Sequence, residues 1–194
     1  MIYQTLRCMK SLYFSYNEVA ELLKIQPESA RVLCSRYTSN GLLVRVKRNI
    51  YLLRERWDYL TDTEIMQITN IIQVPSYVSL TSALAYYGCT TQLQQDFIES
   101  TCVQRSLNKT ILDKEFYFTK VPKEYFFDFH KENNVFIATP EKALVDALYL
   151  TALGRYSIDY SALELHKFNE AKVQQLLNQY PERVSKRWEE YASA

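Results

Sequence analysis

The chain has 194 residues, 47% of them hydrophobic, which is enough to bury a core of one large or two small domains and excludes a disordered chain. The formal net charge of +1 excludes any inference about partners from bulk charge, but the distribution is uneven. Residues 1–57 carry ten Lys/Arg against four acids, an excess of +6, and the remainder carries 13 basic against 18 acidic residues, a deficit of −5. A basic module ahead of an acidic one suggests two jobs, and domains over 1–57 and 58–194 are expected.

In chain order, Ile2, Leu6, Met9 and Leu12 recur at helical spacing and predict a first helix over 2–12. Ser15-Tyr16-Asn17-Glu18 is a capping box ahead of a short second helix with Val19, Leu22 and Leu23 on its inner face, ending near Lys24. Pro27 suits a first helical position and Gly41 a left-handed stop, so a third helix runs between them. Its buried stripe is Ala30, Leu33, Cys34 and Tyr37. Ser29, Arg31, Val32, Ser35 and Arg36 then face outward, a small, hydroxylated and cationic surface. Leu42–Lys47 and Ile50–Leu53 alternate as two strands, with Asn49 suited to the positive φ of a tight hairpin. Arg45, Lys47, Arg48 and Arg54 lie on or beside that hairpin.

Helix, helix, third helix and hairpin is the order of a winged helix–turn–helix. In that reading the third helix enters the major groove and the hairpin cations reach phosphates. Arg45, Lys47, Arg48 and Arg54 would neutralise backbone, with Arg31, Ser35 and Arg36 on base edges. About six neutralised phosphates would give a slope of log affinity on log salt near −5. The alternative is a protein-interaction module that has lost DNA binding, because a charged hairpin tip also blunts a sheet edge.

Asp62 is expected to cap a helix that Pro75 ends, and Tyr77–Ser79 to form a short strand ahead of a helix over Leu80–Tyr87 closed by Gly88. Between 92 and 138, the runs DFIESTCVQ, KEFYFTK, YFFDFH and VFIA read as strands, the last two joined by Lys131-Glu132-Asn133-Asn134. Thr139 and Pro140 open a strong helix that Gly154 closes. The tail reads as helices over SALELHKF, the Asn169-capped NEAKVQQLLNQY and PERVSKRWEEYA. The fold class is therefore α+β: the N-terminal winged helix–turn–helix, then a mixed α/β domain with a small antiparallel-rich sheet and C-terminal helices.

Catalytic signals are sparse. His130 and His166 stand in no metal-ligand spacing, and GxSxG, P-loop and HExxH patterns are missing. No cofactor or metal is expected, nor an enzyme. The aromatic run EYFFDFH reads either as a base-stacking platform or as a strand with one buried face. Glu141 reads as a dipole-favouring first-turn acid and Asp146 as a polar or partly buried one. Cys8, Cys34, Cys89 and Cys102 never form CxxC and read as reduced core thiols of a cytoplasmic protein, with no membrane span.

RVKRNIYLL in the hairpin, YVSLTSALAYYG and TPEKALVDALYL occur in an order that resembles the AbiEi-type antitoxins over about residues 3–155. Arg48-Asn49-Ile50-Tyr51 stands where that family has an R-G-[VI]-Y tetrad. Ser79, Ser82, Ala83, Leu84 and Gly88 match a second pattern, and Thr139 to Asp146 a third. The resemblance implies a transcriptional autorepressor that binds inverted repeats in its own promoter and counteracts a nucleotidyltransferase-like toxin, and it allows a homodimer on the DNA. It also implies DNA contacts at Arg45, Lys47, Arg48 and the outward positions of the third helix.

Overall fold

A computed structural model describes residues 2–92 and 96–192. The chain divides into two compact units, Met1–Ile68 and Thr69–Ala194. The division falls after Ile68 rather than after Trp57, because α4 (Arg54–Trp57) packs on the hairpin and the chain runs on into α5 (Asp62–Ile72). Taking in Asp58, Asp62 and Glu64 leaves the first unit ten cations against seven acids, an excess of +3.

The first unit begins with α1 (Ile2–Arg7), shorter than its apolar spacing suggests. Its last turn tightens, Cys8 and Met9 donating to Thr5 and Leu6, and Phe14 then pairs through its backbone with Tyr51. The capping box of α2 (Tyr16–Leu23) forms in full, and Lys24 closes the helix in the left-handed conformation. Leu22, expected inside, is exposed; Val19 and Ala20 fill the inner face instead. α3 (Pro27–Ser39) has Pro27 in its first turn and Gly41 at positive φ beyond its end. Ala30, Leu33 and Cys34 are buried with Leu6, Phe14, Val19, Leu43, Tyr51 and Leu53, and Tyr37 packs at the edge of that core. β1 (Leu43–Lys47) and β2 (Ile50–Leu53) form the antiparallel hairpin, with an irregularity between Arg45 and Lys47. The short α4 was not legible in the sequence. α5 is capped by Thr61 rather than Asp62: Thr61 Oγ1 accepts from the Glu64 amide, and Glu64 accepts from the Thr61 amide at 2.9 Å.

The second unit holds a six-stranded mixed sheet in the order β5-β6-β4-β3-β8-β7. Its strands are β3 (Ser76–Val78), β4 (Phe97–Cys102), β5 (Leu107–Ile111), β6 (Lys114–Lys120), β7 (Phe129–Glu132) and β8 (Val135–Ala138). β3–β4, β5–β6 and β7–β8 are antiparallel, and β4–β6 and β3–β8 parallel. β5 is not legible in the sequence, as LNKTI reads too polar for a strand, and of YFFDFH only Phe129 and His130 lie in a strand, β7, while Tyr125 ends a 3-10 turn over Lys123–Tyr125. The β7–β8 turn is Asn133-Asn134 alone, both at positive φ, so Lys131 and Glu132 belong to the strand.

α6 (Leu80–Tyr86) and α7 (Pro140–Ala152) pack together, and α8 (Glu170–Leu177) and α9 (Glu182–Ala192) pack on α7. SALELHKF is two 3-10 turns, Tyr160–Ala162 and Leu165–Lys167, not a helix. α7 is buried from Glu141 to Leu150. On it, Lys142 and Asp146, both wholly buried, form an ion pair. Asp146 also accepts from the Tyr77 hydroxyl at 2.9 Å and Ser79 at 2.8 Å, and Lys142 donates to Tyr180 at 2.9 Å. No helix among the described residues is long and apolar enough to cross a membrane.

Candidate nucleic-acid interface

The hairpin and the N-terminus of α2 are joined by one residue. Asn49 adopts a φ of +63°, and its side-chain oxygen accepts the Tyr16 amide at 3.0 Å. The Phe14–Tyr51 backbone pair, 2.8 Å in both directions, ties the strand just behind the tip. Between α3 and this hairpin lies a cleft of about 520 Å³, lined by Arg31, Val32, Ser35, Thr38 and Ser39 of the helix and by Arg45, Arg48, Asn49, Tyr51 and Tyr16. None of these residues is acidic.

Six of the seven arginines of the first unit fall into two groups. Arg7 pairs with Glu55 at 2.7 Å, Arg56 donates to the Ser11 carbonyl at 2.6 Å, and Arg54 pairs with Asp58. Arg31, Arg45 and Arg48 face the cleft with no ion-pair partner among the described residues. Burial pushes the Tyr51 phenol above its ordinary range, with the Cys34 thiol adding to it, while Arg45 and Arg31 pull it back. Two guanidinium groups from different elements therefore oppose the rise at one phenol that lines the cleft.

Of the nine residues expected at a DNA surface, Arg31, Val32, Ser35, Arg45 and Arg48 meet in the cleft. Ser29 and Arg36 lie on the other flank of α3, beside a shallower depression that Val32 shares with Ile2, Ile25, Glu28 and Leu33. Lys47 is half-buried at the end of β1, across from Ile50. Arg54 lies outside both depressions, and its pairing with Asp58 gives it an intramolecular role that the sequence reading did not foresee. Tyr16, Thr38, Ser39, Asn49 and Tyr51 were not expected in the cleft. Ser39 follows Ser35 by one turn, so helical spacing signals it. Tyr51 needed the strand register, which sets it opposite Arg45.

The aromatic run of the second unit is consumed by packing. Tyr77 and Phe129 stack at 4.5 Å, Phe126 tilts against both, and Tyr125 stacks on Tyr180 at 4.3 Å. His130 lies within β7, its Nε2 3.1 Å from Glu132. Asp146 is fully buried, and Glu141 accepts the Asn169 amide at 3.2 Å and pairs with Lys172 at 3.2 Å.

No family model matches the chain, and no curated protein is similar to it in sequence. In fold it is similar to the crystal structure of the RV2827C protein from Mycobacterium tuberculosis, with a TM-score of 0.59 and 12% identity, over 96% of this chain and 72% of that one.

Proposed function

We propose that the protein is a DNA-binding transcriptional autorepressor and antitoxin, with a winged helix–turn–helix over its first unit. The observation that carries this reading is the acid-free cleft in which Arg31 of α3 and Arg45 and Arg48 of the hairpin converge, while Arg7 and Arg54 are engaged by acids, Arg56 by a carbonyl and Arg36 lies over the Tyr37 ring. Unpaired guanidinium groups held beside small hydroxylated side chains suit a polyanion with a groove. In this arrangement α3 enters the major groove with Arg31 and Ser35 toward base edges, and Arg45, Lys47 and Arg48 follow the phosphates. The antitoxin half rests on the ordered resemblance to the AbiEi-type antitoxins.

Fluorescence anisotropy of the full chain, against a duplex from upstream of its own gene and a scrambled duplex, tests the DNA half. Tight, salt-dependent and selective binding, lost in Arg45→Ala/Lys47→Ala/Arg48→Ala, is expected. Absence of binding at low salt would leave the first unit as a protein-interaction module. The antitoxin half is tested by growth. Co-expression should relieve arrest caused by the nucleotidyltransferase-like product of a neighbouring gene, and unrelieved arrest would remove that half alone.

A further inference from the structure

We infer that Val32 is a specificity-determining residue that reads thymine through its 5-methyl group in the major groove, an inference that rests on the DNA-binding reading above. α3 presents Glu28, Val32, Ser35 and Ser39 along its outermost ridge, at spacings of four, three and four. Val32 is the one apolar side chain in that ridge, and it is 62% exposed, more than any other aliphatic side chain among the described residues.

A β-branched residue is a poor choice for an exposed helix position, since it lowers helix propensity and leaves apolar surface in water. A scattered surface aliphatic needs no explanation, but the position of this one does. It sits where both depressions meet, between Arg31 and Ser35 on the cleft side and Ser29 and Arg36 on the other. Neither depression covers it. Flanking cations and hydroxyls would bring the ridge against a polyanion, and an apolar tip then needs an apolar group on that polyanion. In the major groove that group is the thymine methyl, since the other base edges there present polar donors and acceptors. The branched methyls of Val32 give a short, stiff surface to close on it. Ser35, one turn on, is small enough to leave the neighbouring base edge accessible.

The test compares the full chain on its upstream duplex with the same duplex built with deoxyuridine for every thymidine, which removes the methyls and keeps the pairing. The wild type should bind the uracil duplex more weakly, on the order of five- to tenfold. Val32→Ala should bind the thymine duplex more weakly by a similar factor and no longer distinguish the two duplexes, whereas Val32→Ile should still distinguish them. Circular dichroism should show the helix content of both variants unchanged, as expected for an exposed site. Equal affinity of the wild type for both duplexes would overturn the inference. So would a uracil penalty that Val32→Ala retains, because the methyls would then act through DNA shape. In either case selective binding of the wild type to the thymine duplex would leave the DNA reading standing. Failure of the wild type to bind the thymine duplex, or binding blind to its sequence, would remove both.

Discussion

Asn49 carries two tasks at one position: the left-handed turn of the hairpin and acceptance of the Tyr16 amide. Glycine would serve the first and not the second. Asn49→Gly is therefore expected to speed hydrogen exchange at the Tyr16 amide and to cost about 1 kcal/mol of local stability. Unchanged exchange would show the bond to be dispensable. Cys34 gives a pH prediction. Burial pushes its thiol up to about 11, from an ordinary 9.0. Between those values the unfolded chain has released the proton and the folded chain holds it, so the contribution to stability is full below pH 9 and is lost as pH rises toward 11. Urea midpoints should fall over that window and fall less in Cys34→Ala. Alkylation at neutral pH should mark exposed Cys8 well before the buried Cys34, Cys89 and Cys102.

Among the elements, α3 and the hairpin bear on the proposed DNA binding and α7 on stability. Arg45→Ala and Arg48→Ala should each lower the slope of log affinity on log salt by about one. Arg54→Ala should leave it nearly unchanged, because Asp58 already balances that charge. Arg31→Ala should relax selectivity at one base position by about 1–3 kcal/mol, read from a set of single-base operator variants. On α7, burial lowers the Lys142 pKa, the Asp146 carboxylate opposes that, and the rings of Phe127, Tyr77 and Tyr180 lie 5.1, 5.6 and 5.7 Å from the ammonium. Asp146→Ala strands that ammonium and two hydroxyls, and should cost about 3–5 kcal/mol. The readout is urea unfolding followed through Trp188 of α9 in a Trp57→Phe background. A loss below about 1 kcal/mol would mean that water reaches the site.

For the whole molecule, charge is divided between two units, ten cations against seven acids in the first and 13 against 15 in the second. The balance alone attracts DNA weakly. Affinity should therefore depend on the converging arginines far more than on net charge. Reversing exposed charge in the second unit, for example Glu189→Lys, should leave the salt slope within about half a unit of the wild type, against a loss of about one for a phosphate-contacting cation. A larger change would place that unit against the DNA.

Local chemistry was legible wherever one or two neighbouring residues decide a conformation. The Ser15 box, Pro27, Gly41, Thr139 and Asn169 mark helix ends, and Asn49 marks its turn, because each satisfies or frees backbone groups within a few residues. Period alone identified the inner stripe of α3, and with it the outward positions. Tertiary structure decided the rest. Strand β5 exists because β6 offers it hydrogen bonds, not because LNKTI prefers to be extended. Arg54 is drawn to Asp58, and Lys142 and Asp146 are sealed among Tyr77, Ser79 and Tyr180, which are brought there by other elements. The cleft depends on the register that sets Arg45 opposite Tyr51 and on the Phe14–Tyr51 pair behind the hairpin tip. The sequence by itself determined which residues bear charge and which way α3 faces, since both are local. Which charges meet without acids beside them was decided by packing, because convergence is a property of elements far apart in the chain.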